Sequence, residues 1–278
     1  MKSIFALVLA VGATLPQLAW PQLPTEEVPF ITTPDNVTLE MLTIAGVGPD
    51  DYVMDLGSGD GRIVITAAKR FGARGLGVEI DPALVARSND NARSAGVADR
   101  AVFREQDLFK TDFSPATVIT MYLLPDVNLA LRPALLQLKP GTRLVSHDWN
   151  MGDWKPDRTT VVPVPDKKIG LEKSSKVHLW IVPANAKGLW CGAGPLRGTQ
   201  IALDQTFQEF RGTVMRAGRE RGIEGTISGN DLKPSTGSAA QLGLQVQGDS
   251  LRIASARGNL ALLQGAGFTR AAGASCPA

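Results

Sequence analysis

Short apolar runs alternate with helical patterns from about Tyr52 to Pro183, downstream of a proline-rich connector between Pro21 and Pro34. Candidate strands are Tyr52 to Leu56, Gly75 to Ile80, Ala101 to Gln106, Thr117 to Leu123, Arg143 to His147, Thr159 to Val164 and Val177 to Val182. Helical patterns fall at Asp60 to Phe71, Pro82 to Ala95 and Leu129 to Leu138. Pro82 suits a first helical turn, whereas Pro133 kinks the last helix or starts a new one. Strands alternating with helices predict a mostly parallel seven-stranded α/β sheet covered on both faces, with its ligand beyond the carboxyl ends of the strands. No convincing helix joins the last two strands, which predicts a closing antiparallel hairpin.

The texture changes near Asn185, where helix signals vanish and short alternating segments are separated by Gly, Asn and Asp. Gly225 to Leu232 and Leu244 to Leu251 both read as strand, turn, strand. The chain therefore divides into an α/β domain over residues 21–184 and a small antiparallel β domain over 185–278. Gly188-Leu189-Trp190 opens a meander of lipocalin-like texture, too short to assert a ligand-holding barrel; a stabilising or protein-contact module is the expectation. Cys191 and Cys276, the two cysteines of the chain, lie near the two ends of this region. One disulfide would close it, and two unrelated buried thiols are the alternative.

Lys2 precedes the apolar run Ile4 to Ala13, which ends near Pro16. Residues 1–20 read as a secretory signal peptide, since a spanning helix needs roughly 20 apolar residues. The expected location is exported or periplasmic after cleavage, membrane-anchored through this segment if uncleaved, and cytoplasmic if the run is a buried helix. Hydrophobic residues are 44% of the 278 and charged residues 20%, a globular composition. The net charge of +2 provides no broad field for a nucleic-acid backbone, and no nucleic-acid partner is indicated.

The candidate chemistry sits at the strand ends. Asp55-Leu56-Gly57-Ser58-Gly59-Asp60-Gly61-Arg62 follows the first strand, and its glycines let the backbone approach a ligand closely. Its third glycine stands at G-x-G-x-G spacing, with Arg62 where a dinucleotide fingerprint requires glycine. Asp55 and Asp60 would sit badly beside a pyrophosphate but suit a ligand carrying an ammonium and a sulfonium. S-adenosylmethionine carries both. Glu79, with Asp81 second, ends strand two where paired acceptors hold a ribose diol. Asp107 and Leu108 end strand three, offering a carboxylate and apolar surface to adenine. Each carboxylate taken alone is more commonly a solvated strand end than a ligand contact, and it is their arrival together and in order that points to one site.

At these residues the chain resembles the class I, seven-strand, Rossmann-like S-adenosylmethionine-dependent methyltransferases. Pro29 to Pro34, Tyr122-Leu123-Leu124-Pro125 and Leu138 to His147 narrow the resemblance to bacterial and mitochondrial protein-lysine methyltransferases related to the non-SET histone-lysine enzyme. It covers about residues 28–183. It implies that a segment at Thr33 and Pro34 folds over the cofactor, that Asp55, Gly57, Ser58, Gly59, Gly61, Glu79, Asp107 and Leu108 hold it, and that a lysine amine is the acceptor. Methyl transfer is an in-line displacement that needs alignment and a dry pocket. Tyr122, ending strand four, is the candidate catalytic residue beside the methyl group. His147, Trp149 and Trp154 are candidate substrate contacts, each with a packing role as the alternative. Asp126, Asp148 and Asn150 lack a metal-ligand spacing, and no metal is expected. A small-molecule methyltransferase, or an exported binding protein that keeps the fold as scaffold, are the competing readings.

Overall fold

The central strands carry apolar side chains on both faces, so the sheet that they form is buried on both sides. The computed structural model describes residues 31–167, 172–235 and 237–276; the expected signal peptide lies outside the described residues. Five strands run parallel: β1 (Tyr52–Leu56), β2 (Arg74–Glu79), β3 (Ala101–Glu105), β4 (Val118–Met121) and β5 (Arg143–His147). The chain then closes the sheet with β6 (Arg158–Pro163) and β7 (Ser174–Ile181), β7 antiparallel to both β5 and β6. The order is β3-β2-β1-β4-β5-β7-β6. The seven-strand expectation and the closing hairpin are both observed. Val53, Val118, Val145 and Val177 pack on one face, and Met54, Ile119, Leu144 and Trp180 on the other.

Helices α2 (Arg62–Phe71) and α3 (Pro82–Ser94) follow β1 and β2 as the periodicity predicts. Asp81 caps α3 by accepting from Ala83 N at 2.8 Å. Two helices depart from expectation. The pattern assigns no element to residues 35–51, yet α1 (Asp35–Ile44) forms there and buries Val37, Met41 and Leu42 against the valine face. The third predicted helix, α4 (Pro125–Leu135), starts four residues earlier than Leu129. Pro125 initiates it, and Pro133 lies inside it near its C-terminal end, so Pro133 does not open a new helix.

The C-terminal strands β8 (Gly188–Gly192), β9 (Thr199–Thr206), β10 (Glu209–Arg216), β11 (Arg219–Ser228), β12 (Asp231–Pro234), β13 (Leu242–Gln247), β14 (Ser250–Ala256) and β15 (Gly267–Arg270) form a closed barrel. Closure comes from β8, which pairs with β9 on one side and β15 on the other. The lumen is filled by side chains including Leu203, Phe210, Ile223, Leu232, Val246 and Phe268. Trp190, fully buried, donates its indole N–H to Ala186 O at 2.9 Å, and the Arg270 guanidinium lies 4.2 Å over its ring. Cys191 and Cys276 are joined in a disulfide with Cα atoms 5.5 Å apart, tying the C-terminal tail to β8.

Candidate active site

The turn after β1 needs left-handed backbone three times, at Gly57 (φ 70°), Gly59 (φ 55°) and Gly61 (φ 81°). Gly61 is the most constrained, because a Cβ there would come within 2.6 Å of the Phe103 ring. Gly57 N and Ser58 N both donate to Val78 O, and Gly59 N donates to Glu79 Oε2 at 2.9 Å. Glu79 Oε1 accepts from Ile80 N at 2.8 Å, so the carboxylate at the end of β2 is fixed beside the glycine turn. Asp55 is 3% exposed and accepts from Thr120 Oγ1 at 2.6 Å. Burial pushes its carboxyl up to about 7 against the pull of the Thr120 hydroxyl, and the charges of Glu79 and Asp60 add to the rise.

Asp60 plays a different part from the one its position suggests. Arg62 engages both its oxygens, Nε to Oδ1 at 2.9 Å and Nη2 to Oδ2 at 2.7 Å, and donates Nη1 to Thr33 O at 2.8 Å. Asp60 is thereby neutralised within the protein, and Arg62 clips the segment at Thr33 and Pro34 onto the glycine turn. Pro34 stands as N-cap of α1, its carbonyl accepting from Thr38 N. Asp107 caps a short 3₁₀ turn through Phe109 N at 2.9 Å, and Leu108 is partly buried against the sheet.

Two observations test whether these residues fit S-adenosylmethionine. Ser58 Oγ is buried without a hydrogen-bond partner in the turn, and Asp55 is a desolvated carboxyl that two neighbouring acids push towards protonation. Ser58 Oγ packs over Gly77 of β2, and the positive charge of a cationic amino-acid group restores the ionised form that Asp55 lacks. The residues fit.

At the ends of β4 and β5, Tyr122 packs against His147, ring centroids 3.9 Å apart and planes tilted by 31°. His147 is 1% exposed, with Thr33 Oγ1 3.2 Å from Nδ1 and Ser175 Oγ 2.9 Å from Nε2. Burial lowers its pKa to about 4, Asp148 opposing and Lys167 adding to the drop. A neutral imidazole with both nitrogens occupied is a platform under Tyr122, not an exposed substrate contact. Burial and the Asp148 charge raise the Tyr122 phenol above its ordinary value. Asp148 takes a left-handed backbone (φ 61°), accepts from Lys176 N at 2.8 Å and pairs with Lys167 at 2.7 Å, which holds it ionised despite burial.

The loop after Asp148 separates the two tryptophans. Trp149, after β5, is 42% exposed, and Leu124, after β4, is 47% exposed. Trp154 is fully buried, stacked on Phe207 of the barrel, so it is a packing residue and not a substrate contact. Sequence reasoning missed Asn128, fully buried on α4, whose Nδ2 reaches Ser146 Oγ, Trp149 O and Asn150 O at 3.3 to 3.4 Å. An asparagine inside an apolar helical stripe was its only local signal. It also missed the clip made by Arg62, and the roles of Asp148, Lys167 and Ser175. Among the described residues no cluster of His, Cys, Asp or Glu could hold a metal.

Comparison with known proteins agrees with this geometry. The ANTKMT methyltransferase domain family matches residues 55–158. The chain is 43% identical to a protein-lysine N-methyltransferase of Saccharolobus islandicus over 157 residues, 56% of this chain and 94% of the relative. It is 31% identical to the adenine nucleotide translocase lysine N-methyltransferase of Mus musculus over 54% of this chain and 66% of that one. A solved structure described as an RNA methyltransferase from Salinibacter ruber, in complex with S-adenosyl-L-homocysteine, shares 52% identity over 56% of this chain and 95% of its own, with a TM-score of 0.50. A buried carboxylate and orphaned hydroxyl at a glycine turn, on a seven-strand sheet of this order, define the class: S-adenosylmethionine-dependent methyltransferases of class I. Within it, the chain belongs to the protein-lysine methyltransferase family.

Proposed function

We propose that this protein methylates the ε-amine of a lysine in a protein acceptor, with Tyr122 at the reacting nitrogen. The observation that carries the reading is the pairing of Tyr122 with a buried, neutral His147 at the strand ends, flanked by exposed Leu124 and Trp149. Asp55 and Ser58 would take the amino-acid end of S-adenosylmethionine, Glu79 the ribose, and Asp107 with Leu108 the adenine, while Thr33 and Pro34 cover the site. Bound there, S-adenosylmethionine supplies an electrophilic methyl on a sulfonium. The chain's own residues prepare the amine. An apolar, aromatic mouth disfavours the ammonium form, and the Tyr122 hydroxyl accepts one amine N–H so that the lone pair is free to attack.

The Salinibacter ruber protein is described as acting on RNA, which raises a second acceptor class. An RNA acceptor needs cations along its phosphates. The edge beside Tyr122 instead presents Leu124, Asp126, Trp149 and Asn150, which favours an amine in a peptide. Incubation with S-adenosylmethionine labelled in the methyl group, using poly-L-lysine and poly(A) as alternative acceptors, separates the two. Label recovered as methyl-lysine is expected; label only in RNA would sink the proposal. Export is proposed with it, from the Lys2 to Pro16 pattern and from a disulfide that suits an oxidising compartment. Sequencing the mature N-terminus of fractionated cells checks that point, since S-adenosylmethionine is made in the cytosol.

A further inference from the structure

One contact between the barrel and the methyltransferase domain is made by a residue at a strained backbone angle. Thr206 pairs with Glu209, leaving Phe207 and Gln208 as a two-residue turn between β9 and β10. Phe207 stands at φ 52°, where such a turn ordinarily uses glycine and where a bulky residue is an outlier. A side chain kept at an unfavourable backbone angle points to a use for that side chain. The Phe207 ring stacks on Trp154 with centroids 5.8 Å apart and planes 14° apart, and the Arg132 guanidinium lies 5.5 Å from its centroid. Arg132 also donates to Met151 O at 2.8 Å and pairs with Asp153. Gln208 Nε2 donates to Lys155 O at 2.7 Å. Gln205, one turn back, donates to Phe207 O at 2.8 Å and to Ala184 O at 3.0 Å, fixing the turn to the interdomain chain.

The contacts of Phe207, Arg132 and Gln208 converge on residues 151–155, the second half of the loop whose first half carries Asp148 and Trp149. We infer that the barrel is a positioning element of the acceptor site: Phe207, wedged against Trp154 and Arg132, fixes the loop 148–155 and with it the placement of Trp149 at the mouth. This rests on the proposal above that the loop borders the acceptor. The cofactor turn lies at β1 and β2, on other elements, so the brace acts on one substrate and not on the other. The Saccharolobus islandicus relative has 94% of its length matched by 157 residues, which leaves it no room for such a barrel.

Phe207→Gly tests the inference, because glycine relaxes the turn while deleting the ring. In the full chain, amide exchange over 148–155 should quicken at least tenfold, and the KM for poly-L-lysine should rise about fivefold or more. The Kd for S-adenosylmethionine should stay within twofold, and Phe207→Tyr, which keeps a ring, should restore the wild-type values. Unchanged exchange, or a KM within twofold of wild type, would overturn the brace, as would an equal loss of S-adenosylmethionine binding. If the wild type methylates poly(A) and not poly-L-lysine, the lysine reading fails while the KM comparison, run on poly(A), still decides the brace.

Discussion

Asp55 makes the binding of S-adenosylmethionine depend on pH in a direction that the structure sets. Its pKa is raised from 3.8 to about 7, so the free folded protein keeps this carboxyl protonated across a window in which the unfolded chain would ionise it. In that window the native state binds more protons than the unfolded state, and the stability contributed by Asp55 falls as pH rises from about 4 to about 7. Pairing with the ligand's ammonium requires the ionised form. Between about pH 5 and pH 7 that ammonium stays at least about nine-tenths charged, its pKa being about 8, so the carboxyl governs nearly all of the change. With a pKa near 7 the carboxyl is about half ionised at pH 7 and about 1% ionised at pH 5, so affinity should drop about 50-fold over the interval. Titration calorimetry at several pH values, in two buffers of different ionisation heat, reads both the affinity and the proton released on binding. Asp55→Asn should bind weakly at every pH with a flat profile, and wild type should converge on it at pH 5. Wild-type affinity constant within threefold from pH 5 to pH 7, or a variant that keeps the slope, would refute the role given to Asp55.

Three further outcomes follow from the contacts already described. Tyr122→Phe removes the acceptor of the amine N–H but keeps the ring packed against His147, so kcat should fall about tenfold or more while the Kd for S-adenosylmethionine stays within twofold, by steady-state kinetics and calorimetry. Arg62→Gln releases Thr33 O and leaves the Asp60 charge uncompensated near Asp55. The loss of charge-assisted hydrogen bonds worth about 1.5 to 3 kcal/mol should weaken S-adenosylmethionine binding about tenfold or more, and KM for the acceptor should change less. The Cys191–Cys276 bridge closes a sequence separation of 85 residues, worth about 4 to 5 kcal/mol in the chain-entropy account. Cys276→Ser should therefore lower the Tm of the barrel in calorimetry, and reductant should no longer affect it.

What the sequence disclosed about this molecule was decided by the range of the interaction. Val53 and Met54, or Leu144 and Val145, alternate within a strand, so their burial on opposite faces is visible locally, and the carboxylates at the ends of β1, β2 and β3 could be placed once the strands were placed. Helix α1 was hidden because one of its five buried side chains is the polar Thr38, which breaks the apolar stripe of the other four, and because a proline-rich connector precedes it. Closure of the barrel depends on Phe268 pairing with Gly192 across most of the C-terminal region, whereas local pattern reveals only neighbouring hairpins such as Gln247 with Ser250. The tryptophans are the sharpest case. Trp149 and Trp154 occupy one loop, and nothing within that loop says which is buried; Phe207, far downstream and at a backbone angle its own type disfavours, decides it. Residues 55–158 carry the family match, and the contacts that fix their acceptor-side loop come partly from outside that range. The motifs therefore identify the methyl donor, while the contacts on the loop 148–155 appear only once both domains are folded.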